Sequence, residues 1–381
     1  AAKDHEALRR SVDEAATATN GAETIWKAAR DARQQAEDKG FGKLAEFHEL
    51  KKQQPEKIIG VMGCMVGVQD ALRLRKRAPY VDVFMQPSNP QPMVEFLYSR
   101  MGEAEVLELE ANSRQQRDAI QDGDILLPEH EQNSLISAHV PVVYGCSHAC
   151  TFCIIPRRRG VERSRSVGEI VAHVRSLGLQ GVKEVTLLGQ IVDRYGKDIA
   201  DGPDLADLLR VVHGAAEETG VERIRFLTSH PNWMTDKLLD TVAELPRVMP
   251  VIEVPAQAGD DEVLRRMKRG YTVEQYRKLI ANIRARIPDV AIHTDIIVGF
   301  PGETEADFEA TLSLVDAIGY ASAYSFKYSA RPGTPAASMP GQVDRELMEE
   351  RLARLLQRID ANRISFNQST VGKDTQILIE R

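Results

Sequence analysis

Cysteine is scarce in this chain, with four in 381 residues, and three of the four are clustered. A disulfide framework is therefore excluded, and a reducing compartment is the better fit. Long apolar runs are missing too. No stretch approaches the ~20 apolar residues that cross a bilayer, and no secretory signal is visible, so no membrane partner and a cytoplasmic location are expected. Neither sign of charge dominates: 49 Lys and Arg stand against 56 Asp and Glu, a net charge of −7. Such a balance gives no global signature of nucleic-acid binding, and any such binding must rest on a local basic patch. Internal repeats and low-complexity tracts are absent. With 43% hydrophobic and 28% charged residues, the composition is that of an ordinary globular protein, long enough for two or three domains.

The clustered cysteines are Cys146, Cys150 and Cys153, in Cys-Ser-His-Ala-Cys-Thr-Phe-Cys, directly after the apolar run Val140 to Tyr144. Three thiolates on one tight loop can hold three irons of a [4Fe–4S] cluster and leave the fourth iron without a protein ligand. A structural zinc site and unpaired core thiols are the competing readings. Zinc ordinarily takes four ligands in two separated pairs, and the sequence offers no second pair.

Along the chain, the first ~55 residues are rich in helix formers, and Phe41, Leu44, Phe47 and Leu50 fall on one helical face. A strand over Lys57–Gly63, a helix over Val68–Arg77 and a strand over Tyr80–Met85 predict a small α/β domain. Polar, turn-rich residues from about Arg114 to Ala138 read as a linker. Strands are then expected at Val140–Gly145, Glu184–Gly189, Arg223–Thr228, Val251–Pro255, Ala291–Val298 and Ala323–Tyr328. Helices are expected between them at Val167–Leu177, Leu205–Glu218, Thr272–Ile287 and Glu305–Ile318, and a long one over Arg345–Gln368. Six β/α units predict a parallel sheet curled into an open partial barrel, with functional residues at the C-terminal strand ends. Residues from Val371 onward read as a first strand of a further β domain.

Polar residues gather at those strand ends: Gly189 and Gln190, Thr228-Ser229-His230, Gln257, and the glycine turn Val298-Gly-Phe-Pro-Gly302. Convergent polar groups on one rim are the ordinary form of a small-molecule site. His230 suits either a ligand or a hydrogen-bonded structural role. Arg157, Arg158, Arg159, Arg163 and Arg165 follow the cysteines within nine residues and suit phosphate contacts, or a solvated loop.

These segments together resemble the methylthiotransferase family of radical S-adenosylmethionine (SAM) enzymes, and within it the tRNA branch. The match runs colinearly from Lys39 to the C-terminus, through Val140–Arg165, Gly181–Gln190, Gln257–Tyr271, Thr294–Thr304 and Tyr328–Pro335. The resemblance implies an N-terminal, flavodoxin-like methylthiotransferase domain over 1–113 and a linker over 114–138. It further implies a partial (β/α)6 radical SAM barrel over 139–368 and, at 369–381, the beginning of a C-terminal β (TRAM) domain that grips RNA. It implies an enzyme that splits SAM to a 5′-deoxyadenosyl radical and methylthiolates C2 of a prenylated adenosine beside the anticodon. The implied partners are a tRNA anticodon stem-loop and an electron donor such as flavodoxin or ferredoxin, with the protein a monomer. A single-cluster relative that cleaves SAM without methylthiolation, and a ribosomal-protein methylthiotransferase, are the alternatives.

Site residues follow from the same resemblance. Cys146, Cys150 and Cys153 ligate iron, and Phe152 lies near the adenine of SAM. Gly189 and Gln190 meet its methionine amine, while Ser229, Gln257, Thr294 and Asp295 serve its methionyl and ribose groups. Val298, Gly299 and Tyr328 wall the adenine. Asp295 reads equally as a buried carboxylate paired with an arginine. The family's second cluster needs three N-terminal cysteines, and here the chain departs: Cys64 matches the third, Arg30 stands at the second, and the Gly-Cys-x-x-Asn of the first is missing. One cluster is expected and a second is doubtful, through either loss of the sulfur-donor cluster or an altered or incomplete N-terminal segment.

Overall fold

A computed structural model describes residues 42–63, 66, 71–87, 90–101 and 135–379. Arg30 and Cys64, with the doubtful second cluster, lie outside the described residues.

The N-terminal part opens with a helix over 42–53, α1. Strands β1 (Gly60–Met62) and β2 (Val83–Met85) pair in parallel, with Gly60 opposite Val83. Between them runs α2 (Ala71–Arg77), and after them α3 (Gln91–Tyr98). Leu44, Ile59, Leu74, Ala78, Val81 and Phe84 form a core of their own. The Asp82 carboxylate fastens this unit, accepting from Lys51 and from the Ile59 backbone N–H at 2.8 Å. A small parallel α/β unit is what the alternation predicts.

Six parallel strands build the second part: β3 (Ser137–Pro141), β6 (Glu184–Leu188), β7 (Arg223–Phe226), β8 (Val251–Glu253), β9 (Ala291–Val298) and β10 (Ser322–Lys327). They pair in chain order, β3-β6-β7 and β8-β9-β10. The two halves are joined where Ile224 donates to Arg247 O at 2.7 Å and accepts from Met249 N at 2.9 Å. The result is an open barrel with β3 and β10 as its free edges among the described residues. Helices α5 (Val167–Leu179), α6 (Leu205–Thr219), α7 (Asp236–Glu244), α8 (Asp261–Met267), α9 (Val273–Arg286), α10 (Glu305–Ile318) and α11 (Arg345–Ser369) accompany the strands, after the short α4 (Ile155–Arg159).

Local sequence explains the helix starts. Ser166 with Glu169, Asp204 with Asp207, Thr272 with Gln275 and Thr304 with Asp307 each close a capping box, satisfying two otherwise orphaned N–H groups reciprocally. Alternation explains the sheet. Val140, Leu187 and Phe226 lie opposite one another across three strands and are fully buried on the helix-facing side. Each contributes about 1.5–3 kcal/mol by leaving water. Neighbouring positions on the other side are polar, among them Thr186, Arg225, Glu253, His293 and Asp295.

Two expectations need correction. The first barrel strand runs Ser137–Pro141 rather than Val140–Gly145, so the sheet starts inside the expected linker. After Val142 the chain turns into a two-residue strand, β4 (Val143–Tyr144), antiparallel to β5 (Arg163–Ser164). This small ribbon clamps both ends of the cysteine loop. At the other end, residues 373–379 form no strand; a strand needs a partner's backbone to pair with, and none of the described residues supplies one.

Candidate active site

Because the six strands run in parallel, their C-terminal ends share one rim, and the cysteine loop sits there. Gly145 begins it with φ +71°, where a Cβ would lie 2.1 Å from the Val161 carbonyl oxygen, so only glycine fits this corner. The loop is pinned at its centre. Thr151 donates its N–H to Met267 O at 3.1 Å and its hydroxyl to Arg266 O at 2.8 Å.

Sulfur atoms in the loop are already addressed by donors. The His148 N–H points at Cys146 Sγ (3.4 Å), the Ile155 N–H at Cys153 Sγ (3.5 Å), and Arg269 Nη1 at Cys150 Sγ (3.3 Å). Hydrogen bonds of this kind stabilise thiolates that ligate iron. Burial pushes the free Cys146 and Cys153 thiols up, and metal binding reverses that by deprotonating them outright. No three His, Cys, Asp or Glu side chains among the described residues converge on a single-ion position. Three thiols on one loop, each with an N–H donor aimed at its sulfur, are the donor set that fits an iron–sulfur cluster with one open iron.

Facing the loop from neighbouring strand ends are buried polar atoms without partners: Ser229 Oγ, His230 Nε2, Gln257 Oε1 and Tyr328 Oη. Buried polar atoms are ordinarily paired, so this concentration on one rim fits a polar ligand such as SAM. Two backbones there are strained, with positive φ at Thr228 (+67°) and Gln257 (+68°), a cost that concentrates at functional sites. Aromatic rings line the same edge. Phe152 meets Phe300 edge-on with centroids 6.5 Å apart, and Phe300 meets Tyr328 at 5.4 Å. Val298 is fully buried beside them, and burial pushes the Tyr328 hydroxyl up to about 12.

Other expected residues have structural duties. Thr294 is fully buried, and its hydroxyl accepts from Ala256 N at 2.9 Å and donates to Val254 O at 3.0 Å. Its neighbour Asp295 points to the opposite side of β9, because side chains alternate along a strand; one site cannot use both. Asp295 has no arginine partner among the described residues. Burial, with Glu253 repelling it, raises its carboxyl to about 6. Gly299 gives its N–H to Glu303 at 2.7 Å, and a Cβ on it would strike Met348 at 2.2 Å, so it shapes the turn. Gly189 packs against Val192, where a Cβ would meet the Val192 Cα at 2.9 Å; Gln190 beside it is half-buried. His230 is a core residue: its Nδ1 accepts from Asn232 N at 3.2 Å, and burial, helped by Arg269, pulls its pKa down to about 2.

The arginines separate into two groups. Arg157 and Arg163 are exposed beside the loop, and Arg158 and Arg159 are half-buried on α4. Arg165 is spent on the fold, donating to Pro141 O at 2.8 Å. Sequence reasoning missed Arg269, Asp193 and Glu162. Asp193 accepts the His230 N–H at 3.0 Å, and burial raises its carboxyl to about 7. Glu162 clamps Arg194 at 2.8 Å, tying the arginine loop to the rim beyond β6.

Comparison with known proteins agrees with this geometry. The Radical SAM superfamily pattern matches residues 140–315. The tRNA-2-methylthio-N(6)-dimethylallyladenosine synthase of Herpetosiphon aurantiacus is 44% identical over 359 residues, covering 91% of this chain and 76% of that protein. That of Methylobacillus flagellatus is 40% identical over 356 residues, covering 91% and 77%. Among solved structures, the cobalamin-dependent S-adenosylmethionine radical enzyme OxsB shares the fold, with a TM-score of 0.52 at 11% identity, over 85% of this chain and 46% of that one. Identity at that level over three quarters of the curated relatives' length, with the cysteine loop in place on the rim, makes this chain a radical SAM enzyme of the tRNA-2-methylthio-N(6)-dimethylallyladenosine synthase family.

Proposed function

We propose that this enzyme methylthiolates a prenylated adenosine beside the anticodon of tRNA, splitting SAM at a [4Fe–4S] cluster held by Cys146, Cys150 and Cys153, with the methyl group taken from SAM and the sulfur from a sulfide-level donor other than this cluster. The observation that carries the reading is that the three cysteines and the orphaned Ser229 Oγ, Gln257 Oε1 and Tyr328 Oη all follow the C-terminal ends of the same parallel strands. When bound, the cluster supplies the electron that splits SAM. The protein's share is placement. Each thiol gives up its proton to solvent on taking iron, and the N–H groups of His148 and Ile155 hold two of the sulfurs. Ser229 and Gln257 serve the methionyl and ribose groups, and Phe152, Phe300 and Tyr328 bound the adenine. Asp295, on the side of β9 away from the helices, is the remaining polar group for the ribose. Exposed Arg157 and Arg163, with Arg158 and Arg159, take RNA phosphates.

The organisation that goes with this reading is a methylthiotransferase-like domain up to residue 113, a linker and then the barrel to 368. No helix among the described residues is long and apolar enough to cross a membrane. A tRNA substrate goes with a cytoplasmic protein, here a monomer reduced by a flavodoxin or ferredoxin. The test is anaerobic reconstitution of Cys150→Ala beside the parent chain, with SAM, reductant, sulfide and prenylated tRNA. Loss of cluster absorbance, of 5′-deoxyadenosine and of methylthiolated nucleoside is expected. Deoxyadenosine formed at the parent rate by the variant would overturn the assignment.

A further inference from the structure

Two arginines of this chain are buried among the described residues, and they are treated differently. Arg351, 2% exposed, is paired with the Glu303 carboxylate at 2.8 Å. Arg269, 5% exposed, has no carboxylate within ion-pair distance among the described residues. Its Nη1 lies 3.3 Å from Cys150 Sγ, its Nε 3.2 Å from Tyr271 Oη and its Nη2 3.4 Å from Pro255 O. Asp193 and Asp295 feel its charge from farther away. A buried cation without a counter-anion is costly, and the one group in contact with it that becomes an anion is the Cys150 sulfur.

The side chain is also aimed. Lys268 caps α8 in the left-handed conformation (φ +56°), Gly270 follows at φ +73°, and Asn232 Nδ2 holds the carbonyls of Arg269 and Gly270 at 3.3 and 3.2 Å. Thr151, next to Cys150, bonds the Arg266 and Met267 carbonyls at the end of α8, directly before that turn. Cation and sulfur are thus fixed to each other by backbone on both sides.

We propose that Arg269 is a positioning residue for the iron–sulfur cluster, the fixed positive charge against Cys150, and that it raises the cluster's reduction potential. The inference rests on the cluster assignment above. Reduction adds one negative charge to the cluster, and an adjacent cation and N–H···S bond favour the more negative state; net charge and hydrogen bonds to sulfur are what set such potentials.

The test reconstitutes the full chain, Arg269→Lys and Arg269→Gln anaerobically, counts iron, and titrates each cluster by electron paramagnetic resonance at set potentials. Without SAM, Arg269→Gln should lower the ratio of reduced to oxidised cluster at least tenfold at a fixed potential, about 59 mV for a one-electron couple. Arg269→Lys, which keeps the charge, should lose less. Iron retained by the lysine variant and lost by the glutamine variant also supports the inference. Parent-like potentials in both variants overturn it, as does iron lost by both while the iron-free proteins stay folded by circular dichroism. A shift seen only with saturating SAM overturns it too, because the guanidinium then serves the methionyl carboxylate. A parent chain that binds no cluster refutes the cluster assignment instead, which keeps the two failures apart.

Discussion

Replacing Arg351 by methionine isolates the pair that locks the turn after β9. In the parent, Arg351 Nη1 donates to Glu303 Oε2 at 2.8 Å and to the Glu303 carbonyl at 3.1 Å, and the same carboxylate takes the Gly299 N–H. Methionine keeps most of the apolar stem but leaves Glu303, with its side chain 1% exposed, without its cation. Breaking a buried pair from one side costs about 3–5 kcal/mol, whereas the contact to the half-exposed Glu305 adds little. At about 2–4 °C per kcal/mol for a domain of this size, the barrel should melt roughly 6–20 °C lower. Glu303→Gln in the same protein removes the stranded charge and keeps an acceptor for Gly299, so the double variant should regain most of the loss. Burial already holds the Glu303 carboxyl above its usual range, and losing Arg351 raises it further. The folded state then keeps a proton that the unfolded chain has released, so stability falls as pH rises from ~4.3 through the raised folded value. The penalty in the single variant should therefore shrink toward low pH. Thermal melts and urea titrations between pH 5 and 8 measure all three effects. A destabilisation below about 1 kcal/mol, or a double variant no better than the single, would refute the reasoning, since surface pairs are worth that little.

Three further outcomes are expected. Gly145→Ala, which puts a Cβ against the Val161 carbonyl at a left-handed position costing about 1–2 kcal/mol, should lower iron content while the melting transition persists; full iron content would contradict the corner geometry. Replacing Arg157, Arg158 and Arg159 together by alanine should weaken tRNA binding and flatten its salt dependence by about two log units per log unit of salt, at ~0.7 for each phosphate that is no longer neutralised. Binding isotherms at several salt concentrations decide, and an unchanged slope places the RNA surface elsewhere. Iron per chain after reconstitution should plateau near ~4, because the sequence supplies one cysteine, Cys64, outside the loop and a cubane needs three or four thiolates; a plateau near ~8 would show ligands of another kind.

Long periodic segments are readable from the residues alone. Ala291–Val298 and Glu305–Ile318 fall where alternation and the Thr304 cap place them. Helices α7 and α8 escape such a reading, because seven to nine residues between a strand end and a longer helix carry too few periods to stand out from a loop. In the site, the motifs single out Ser229, Gln257 and Tyr328, whose polar atoms are buried without a partner, and the three cysteines of the loop. Thr294 and Asp295 cannot both face one site, since adjacent strand residues face opposite sides, and only the packing shows the Thr294 hydroxyl bonded to Ala256 and Val254. Arg269 and Asp193 leave no local signal. One arginine in Arg-Arg-Met-Lys-Arg looks like its neighbours, and only the tertiary approach of the turn after α8 to the cysteine loop singles it out.

The free edges of the barrel have a consequence for what it can admit. A closed ring of strands is a cup that is filled only from its mouth, so its guest must be small enough to enter whole. Among the described residues the ring stops at β3 on one side and β10 on the other, and Tyr324 and Phe326, opposite Asp295 and Ile297 in register, stand 64% and 52% exposed. A wall built of these strands alone lets a guest far larger than the cup offer one protruding piece from the flank while its bulk stays outside.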